Sequence, residues 1–249
     1  MTTEALIIPN WLAPANVRAI STTRLGGKSK PPYDSLNVAQ HVGDDSDAVL
    51  LNRATLKNVA NYNDEPMWLE QVHGNVVVNT SNRRQQVKAD ASFTTALNTT
   101  CVVMTADCLP VLFCDKQGRG VAAAHAGWRG LAAGVLESTV DNLCKALACP
   151  ASEILAWMGP AIGPTAFEVG GEVRDTFISQ HDVSSAFIAT DPEHWLMDIY
   201  AVAKHRLSYA GVEKVSGGQY CTFTDKERFF SYRRENCCGR MASLIWLQD

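Results

Sequence analysis

The fold is decided by residues 101–130, which have the sequence CVVMTADCLPVLFCDKQGRGVAAAHAGWRG. Three short apolar runs cover residues 101–104, 110–114 and 120–124 of this stretch. Short apolar runs bounded by polar and turn-forming residues are typical of buried β-strands. Because Asp115-Lys116-Gln117-Gly118 supplies a turn between the second and third runs, those two strands are predicted to form a hairpin.

Helical and strand patterns lie on both sides of this hairpin. Apolar residues recur at helical spacing from Leu131 to Leu147 and stop before Pro150, which predicts one helix. Further helices are predicted from the capping oxygens of Asp44-Asp45-Ser46-Asp47 to Asn61, over 171–180, and over 197–210 with Gly211 closing the last. Further strands are predicted over 75–80, 154–158, 185–189, 229–232 and 241–247. No repeat or linker interrupts the pattern, so residues 1–249 are predicted to form a single α/β domain.

The composition excludes several classes of protein. A net charge of −4 gives no basic surface for nucleic acid, and the Arg83-Arg84 and Arg233-Arg234 pairs are interpreted as solvated surface. No apolar stretch approaches the roughly 18 residues of a membrane helix, and the N-terminal residues lack the basic region of a secretory signal. Eight cysteines without a Cys-x-x-Cys spacing predict a reducing, cytoplasmic compartment. Dinucleotide, P-loop and His-x-Glu deaminase signatures are absent.

Three segments place reactive side chains beside glycine or proline, at residues 70–74, 105–110 and 124–130. Their chemically distinctive members are His73, Cys108 and His125. One thiolate and two imidazoles form a good zinc ligand set, and three protein ligands leave a fourth position open, as in catalytic zinc sites. The same residues would also suit a nucleophile–base pair of Cys108 with His125 or His73, so the two alternatives remain open at this point.

The remaining histidines and one acidic residue can be explained without a chemical role. His41, His181, His194 and His205 have no companions in the sequence and are predicted to be structural or surface residues. Glu168 is predicted to open the helix after the rigid turn Gly159-Pro160-Ala161-Ile162-Gly163-Pro164, where an acidic residue is favourable in any case.

At these motifs the sequence resembles the laccase-domain family, whose members are described as polyphenol oxidases and as multifunctional purine nucleoside phosphorylases. The resemblance spans nearly the whole chain in order. It is carried by residues 22–27 (TTRLGG), 35–37 (SLN), 41–44 (HVGD), 71–74 (QVHG), 89–91 (ADA), 105–111 (TADCLPV), 124–130 (AHAGWRG), 159–164 (GPAIGP), 167–170 (FEVG), 230–234 (FSYRR) and 239–243 (GRMAS). One departure is Glu235-Asn236-Cys237-Cys238, where relatives often carry an acidic residue and glycine.

This resemblance implies a fold, a cofactor and an activity. The fold is a single α/β domain with a central mixed β-sheet flanked by helices, in a cytosolic protein. The metal ligands of the family map onto His73, Cys108 and His125, which implies Zn²⁺ with Cu²⁺ as a substitute. The implied activity is phosphorolysis of adenosine, guanosine, inosine and S-methyl-5′-thioadenosine, with deamination of adenosine at the same site. Purine nucleosides and inorganic phosphate are therefore the expected partners, without nucleic acid or membrane.

Phosphorolysis requires a phosphate clamp and a proton donor for the departing base. We expect Arg24, Arg129 or Arg233 to contribute the clamp, since a guanidinium group binds phosphate oxygens in a bidentate fork. Asn37, within the matching segment 35–37, is counted among the predicted substrate contacts. Asp107 or Glu168 is predicted to shuttle protons beside the three ligand residues.

Three rival functions remain at the level of sequence. A copper-dependent polyphenol oxidase would need a second, multi-histidine cluster for oxygen reduction, and six histidines make such a cluster implausible. A metal-independent cysteine–histidine hydrolase would use Cys108 as its nucleophile. A non-catalytic zinc-binding protein is disfavoured because the predicted ligand set leaves a coordination position open.

Overall fold

The computed structural model describes residues 5–81 and 87–249, so the Arg83-Arg84 pair lies outside the described residues. The strands in that part of the chain are β1 (Leu6–Ile7), β2 (Val17–Thr22), β3 (Val77–Asn79), β4 (Ala91–Thr94), β5 (Cys101–Thr105), β6 (Leu109–Asp115), β7 (Val121–Ala126), β8 (Ile154–Met158), β9 (Glu168–Gly170), β10 (Phe187–Ala189), β11 (His194–Met197), β12 (Lys214–Gly217) and β13 (Met241–Leu247). The α-helices are α1 (Ser46–Ala60), α2 (Trp128–Ala132), α3 (Val135–Leu147), α4 (Gly171–Ile178), α5 (Ile199–Tyr209) and α6 (Tyr232–Glu235).

The strands form three sheets. A six-stranded sheet has the order β12-β8-β6-β7-β4-β3 and is mixed, because β12 runs parallel to β8 and β3 parallel to β4. An antiparallel four-stranded sheet has the order β1-β2-β13-β5, and a small three-stranded sheet has the order β10-β11-β9. The predicted α/β class, with a central mixed sheet flanked by helices, is confirmed; the assignment of all 249 residues to one domain stays a prediction.

The predicted hairpin is confirmed, and it determines where two of the predicted site residues, Cys108 and His125, lie. Strands β6 and β7 pair antiparallel from Leu109 opposite Ala126 to Cys114 opposite Val121. The Asp115 carboxylate stabilises the turn because it accepts hydrogen bonds from the backbone N–H groups of Arg119 (2.6 Å) and Gly120 (3.1 Å). At the opposite end of the hairpin, this register places the residues just before Leu109 and just after Ala126 side by side.

Side chains of β6 alternate between two cores, as the two-residue period of a strand requires. Val111 and Phe113 belong to the core that the six-stranded sheet forms with α3, α4 and α5. Leu112 and Cys114 belong to the core between the two larger sheets. Because both faces of β6 are covered, the strand is apolar throughout apart from its last residue, and it appears in the sequence as a continuous run rather than an alternating one.

A further layer covers the outer face of the four-stranded sheet. Leu56 of α1 packs there against Val102, Leu244 and Trp246. The predicted start of α1 is confirmed, because the Asp45 side chain accepts hydrogen bonds from two N–H groups of the first turn. No helix in the described ranges is both long and apolar enough to cross a membrane.

Some predicted elements were wrong in extent or kind. The helix predicted from Leu131 to Leu147 is in fact α2 and α3, separated where Gly134 adopts a φ of +87°, a left-handed conformation that glycine accommodates without strain. Glu168 does not open a helix but begins β9, and α4 starts at Gly171.

The strand predicted over 229–232 is also wrong. Phe229 and Phe230 are fully buried but lie in a loop, and α6 begins directly afterwards. Local side-chain hydrogen bonds offer this backbone an alternative to a sheet. Ser231 accepts a hydrogen bond from the backbone N–H of Arg234, and the Arg234 guanidinium donates to the carbonyl oxygen of Phe229 at 2.8 Å. The apolar residues of this segment therefore signalled burial and not a strand.

The core between the six-stranded sheet and the helices should dominate stability. Phe113→Ala removes a fully buried ring from this core and should lower the free energy of unfolding by about 3–5 kcal/mol, measured by urea denaturation. Leu50→Ala is the matched control, since Leu50 is 52% exposed and its replacement should change stability by less than about 0.5 kcal/mol. Equal losses in the two variants would contradict this assignment of the core.

Candidate metal centre

The three predicted ligand residues meet in the structure. Their ligand atoms all lie within 4.8 Å of one another, and no other group of this kind occurs in residues 5–81 and 87–249. His125 is buried, Cys108 is half-buried and His73 is exposed, so the group opens towards solvent on one side. The His73 and His125 rings meet edge to face with centroids 4.8 Å apart.

The hairpin supplies two of these ligands. His125 is the second-last residue of β7, and Cys108 directly precedes β6. Gly127, just beyond β7, lies against two of the three side chains: a Cβ atom there would lie 2.8 Å from His73 Cδ2 and 3.0 Å from Cys108 Sγ. Only glycine therefore leaves room for the imidazole and the thiol to approach each other at this point.

The third ligand comes from a loop that the Asp90 carboxylate holds in place. This side chain is completely buried and accepts hydrogen bonds from the backbone N–H groups of Val72 (3.2 Å), His73 (2.9 Å) and Gly74 (2.7 Å). His73 itself adopts a left-handed φ of +60°. The Gln71 side-chain amide adds a second anchor, because it donates to and accepts from the backbone of Met104 at 2.8 Å in each direction.

Asp90 also orients the buried histidine. Its Oδ1 lies 2.8 Å from His125 Nδ1, which leaves Nε2 of that ring free to act as the ligand atom. A carboxylate behind a ligand histidine is the usual outer partner in zinc proteins, where it fixes the tautomer of the ring. The role of Asp90 was missed from the sequence, where it appeared only within the matching segment 89–91. An acidic residue between two alanines at the start of a buried strand was the available signal.

The electrostatics favour a thiolate. Burial by itself raises the pKa of the Cys108 thiol, but the neighbouring His125 and His73 outweigh it and lower that pKa to about 6. Burial lowers the pKa of His125, whereas Cys108 and Asp90 raise it to about 9. For Asp90, burial opposes ionisation, but the hydrogen bonds from His125 and Gly74 bring the pKa below its ordinary value. Without metal, Cys108 and His125 therefore pair as a thiolate and an imidazolium, and a metal would take the place of the His125 proton, because zinc binds a thiolate and neutral imidazoles.

The three ligand residues lie on the wall of a cavity of about 380 Å³, a size typical of small-molecule sites. The other residues lining this cavity are His41, Gln71, Met104, Thr105, Ala106, Tyr232 and Arg240. The expectation that His41 lacks companions is therefore wrong, because it shares the cavity with Arg240 and the ligand group. Neither residue could be placed there from the sequence, since they lie almost 200 positions apart.

A second, smaller cavity of about 150 Å³ adjoins the same centre. It shares Ala106, Cys108 and Tyr232 with the larger cavity. Its remaining wall is mainly apolar and aromatic, being formed by Asp107, Trp128, Ile162, Phe167, Ile199 and Arg233. The centre therefore has a more polar side in the larger cavity and a more apolar, aromatic side in the smaller one, and each side contributes one arginine, Arg240 and Arg233 respectively.

Two of the predicted substrate contacts lie away from these cavities. The Arg24 guanidinium forms an ion pair with Glu235 at 3.1 Å, donates to the Asp34 carbonyl at 2.8 Å and lines a different cavity. Asn37 is completely buried and accepts a hydrogen bond from the backbone N–H of Arg240 at 2.9 Å. The structure thus gives both residues structural contacts, and their predicted roles in substrate binding stay predictions.

The other two predicted substrate contacts lie close to the centre. Arg129, in α2, is exposed and stacks on the Trp128 ring at 4.3 Å. Arg233 lines the smaller cavity and donates from Nη2 to the carbonyl oxygen of Glu168 at 3.0 Å. The predicted roles of Arg129 and Arg233 in substrate binding stay predictions.

The two predicted proton shuttles have different surroundings. Asp107 neighbours Cys108, and its carboxylate accepts hydrogen bonds from Thr222 (2.6 Å), Ser231 (3.0 Å) and the backbone N–H of Arg233 (2.7 Å). The last two of these donors tie Asp107 to the start of α6. Glu168 is exposed, accepts a 3.3 Å hydrogen bond from Thr190 and lines neither cavity. The proton-transfer role of either residue stays a prediction.

All eight cysteines are free thiols. The unusual pair after Glu235 lies next to the larger cavity, because Arg240 Nη1 is 3.5 Å from Cys238 Sγ. Cys238 is buried, whereas Cys237 is exposed, with its sulfur 3.2 Å from the Tyr33 hydroxyl.

The fold and the site together define an α/β protein with one candidate metal centre, made of a thiol and two imidazoles, on the wall of a cavity of small-molecule size. Residues 18–248 match the family described as multi-copper polyphenol oxidoreductase laccase. The chain belongs to this family, and the resemblance found in the sequence is confirmed.

Relatives with other names share nearly the full length of the chain. It is 54% identical over 248 residues to a Pseudomonas aeruginosa protein named purine nucleoside phosphorylase, covering 99% of this chain and 100% of the relative. It is 53% identical over 243 residues to an Escherichia coli protein of the same name, covering 97% of this chain and 98% of the relative.

Solved structures agree with the fold. The crystal structure of a Neisseria meningitidis protein is similar with a TM-score of 0.92 and 46% identity, covering 98% of this chain and 100% of that one. The crystal structure of a Geobacillus stearothermophilus protein is similar with a TM-score of 0.89 and 31% identity, covering 94% of this chain and 93% of that one.

The Asp90 carboxylate should control metal affinity. Asp90→Asn keeps the shape of the side chain but removes the charge behind His125, so the affinity for added Zn²⁺ should fall about 10–100-fold in a chelator-competition titration. The control is Asp115→Asn, which alters another fully buried carboxylate that accepts backbone N–H groups, far from the ligand atoms along the hairpin. Both variants should lose stability without metal, but only Asp90→Asn should lose affinity. Unchanged affinity in Asp90→Asn would show that the carboxylate only supports the loop.

Proposed function

We propose that this protein is a zinc-dependent purine nucleoside phosphorylase that acts on adenosine, guanosine, inosine and S-methyl-5′-thioadenosine and also deaminates adenosine. The observation that carries the proposal is the His73–Cys108–His125 group on the wall of a cavity of small-molecule size. Two relatives named purine nucleoside phosphorylase, 54% and 53% identical over nearly the full chain, support the choice of reaction.

The donor set supports zinc as the metal. A thiolate and two imidazoles are ligands that Zn²⁺ accepts in tetrahedral sites, and a three-ligand set leaves one position for a reactant. His125 is already oriented by Asp90, and Cys108 Sγ lies 3.8 Å from Nε2 of His73. When bound, zinc supplies a Lewis acid that activates water at neutral pH, which is the chemistry that deamination requires.

In phosphorolysis, a phosphate oxygen forms a bond to the ribose anomeric carbon while the bond from that carbon to the purine nitrogen breaks. The purine leaves with the bonding electron pair and takes up a proton, so the products are ribose 1-phosphate and the free base. The apolar, aromatic wall of the smaller cavity suits the purine ring, with Trp128 and Phe167 as stacking surfaces. Asp107 and Glu168 are the proposed proton carriers, and Arg129 and Arg233 the proposed contacts on the aromatic side.

The copper oxidase alternative is weaker in this chain. Oxygen reduction by multi-copper oxidases needs a multi-histidine cluster besides the His₂Cys site. All six histidines lie in the described part of the chain, and His181, His194 and His205 belong to no group of three metal-ligating side chains there. His181 instead packs on the rings of His205 and Tyr209, and His194 pairs with Asp191.

A metal-independent cysteine enzyme is favoured by one observation. The Cys108 thiol has a pKa lowered to about 6, against the effect of burial, by His125 and His73. A lowered thiol pKa beside two imidazoles is also a property of a nucleophilic cysteine next to a base.

The eight free thiols support a further part of the proposal, a reducing, cytoplasmic compartment.

The two roles of Cys108 differ in reactivity. In zinc-loaded protein Cys108 should resist iodoacetamide, because a metal-held thiolate is not free to react, and a chelator should expose it to alkylation. Peptide mass spectrometry provides internal controls: exposed Cys237 should be labelled in both states, whereas buried Cys101 and Cys114 should be labelled in neither. Labelling of Cys108 in the zinc-loaded form would support the cysteine-enzyme alternative instead.

The reaction itself is tested on zinc-loaded protein with a nucleoside panel. Adenosine and phosphate should yield adenine and ribose 1-phosphate, and adenosine without phosphate should yield inosine, both followed by chromatography. Phenol oxidation should be weak in the zinc form and should increase when copper is added, because copper binds such sites more tightly than zinc and displaces it. Oxygen consumption by the zinc form, with no nucleoside turnover, would reverse the order of the two functions.

A further inference from the structure

We infer that His41 and Arg240 form the oxyanion subsite that holds inorganic phosphate beside the metal centre. This inference rests on the proposed function and deepens it by assigning the second substrate to one wall of the larger cavity. Both side chains line that cavity together with His73, Cys108 and His125. An anion bound between them therefore lies in the same cavity as the ligand group.

The Arg240 guanidinium is fixed but its charge is not neutralised. Nη1 donates to the carbonyl oxygens of Cys238 (2.8 Å) and Gly239 (3.0 Å), and the backbone N–H is held by the buried Asn37 side chain. No carboxylate among residues 5–81 and 87–249 forms an ion pair with Arg240. Nε and Nη2 also form no hydrogen bond within those ranges. Nε and Nη2 form one edge of the guanidinium fork, the geometry that binds a phosphate oxygen pair.

Two other arginines that are shielded from solvent have acidic partners. Arg24 pairs with Glu235 at 3.1 Å, and Arg206 pairs with Glu137 at 2.6 Å. A buried cation without a counter-ion is costly, so buried charges are normally paired. Arg240, by contrast, lines a cavity and has no ion-paired carboxylate in the described ranges. This arrangement is expected for a cation whose counter-ion is a ligand.

The surroundings of His41 show the same positive potential. The pKa of His41 is lowered by burial and, in addition, by the charges of Arg240 and Arg53. Arg53 stacks on the Trp68 ring at 3.8 Å and donates to the carbonyl oxygen of Val38. The negative charge of Glu65 acts on Arg53, but no carboxylate in the described part of the chain lies at ion-pair distance from it. Two cations next to one imidazole, without an ion-paired acid, favour an entering dianion.

This assignment replaces the arginines chosen from the sequence as the clamp. Arg24 is occupied by Glu235 and Asp34 and lines another cavity. Arg129 is exposed and lines neither cavity, and Arg233 lines the smaller cavity, where it is bound to the Glu168 carbonyl. With phosphate in the larger cavity and the base in the smaller one, the two substrates reach the centre from two adjoining cavities.

The direct test is binding of inorganic phosphate to zinc-loaded protein, measured by isothermal titration calorimetry. Arg240→Gln should weaken phosphate binding about 10–100-fold, because hydrogen bonds from a charged donor are lost, and Arg240→Lys should fall between Gln and wild type. His41→Asn should weaken binding about threefold to tenfold. Zinc content must equal that of the wild type, so that a lost metal is not mistaken for a lost subsite. Arg18→Gln is the control, since Arg18 is exposed and bound to Gln248 and Ala15.

Steady-state kinetics give a second readout. In Arg240→Gln, the KM for phosphate should rise by a larger factor than the KM for the nucleoside, whereas Arg18→Gln should match the wild type in both. Wild-type phosphate affinity in Arg240→Gln and His41→Asn, or a loss produced instead by Arg129→Gln or Arg233→Gln, would overturn the subsite while leaving phosphorolysis intact. Failure of the wild type to bind phosphate would overturn it as well. Phosphate binding that depends on Arg240 without any nucleoside turnover would uphold the subsite and refute the proposed function.

Discussion

The site depends on one set of interactions, the hydrogen bonds that the buried Asp90 carboxylate accepts. An ionised carboxylate without exposure to water needs several donors, and Asp90 finds four in the N–H groups of Val72, His73 and Gly74 and the His125 ring. The same hydrogen bonds that compensate the charge bring a surface loop to a buried strand. His73 and His125, two candidate metal ligands from distant parts of the chain, are thereby brought together by the same carboxylate.

Much of the fold could be predicted because the strands of the six-stranded sheet are buried on both faces. Residues 110–114 and 154–158 form continuous apolar runs for that reason, and both are strands. The site was less predictable. His73 and His125 are 52 positions apart, so no spacing rule joins them. The residue types marked the three side chains as candidates, and family resemblance favoured a metal site over a nucleophile–base pair. Asp90, His41 and Arg240 were missed because their roles depend on tertiary contacts, such as that between Asn37 and Arg240.

The family description and the names of the relatives point to different chemistry, and the ligand set explains how both could arise. A thiolate with two imidazoles binds copper as well as zinc, and copper binds more tightly to most such sites. Copper binding alone is therefore no evidence for oxidation. What separates the two chemistries is a second metal cluster, and the described part of this chain contains a single group of metal-ligating side chains.

The position of the centre follows from the way the chain changes sheets. Strand β5 ends at Thr105 in the four-stranded sheet and β6 begins at Leu109 in the six-stranded sheet, so three residues must cross from one sheet to the other. The crossing is possible because Asp107 adopts a φ of +86°. Its carboxylate then binds Ser231 and the backbone N–H of Arg233, which fixes α6 and so the Tyr232 wall shared by the two cavities. Cys108, the last residue of the crossing, consequently lines both cavities, between the wall that holds His41 and Arg240 and the wall that holds Trp128 and Phe167.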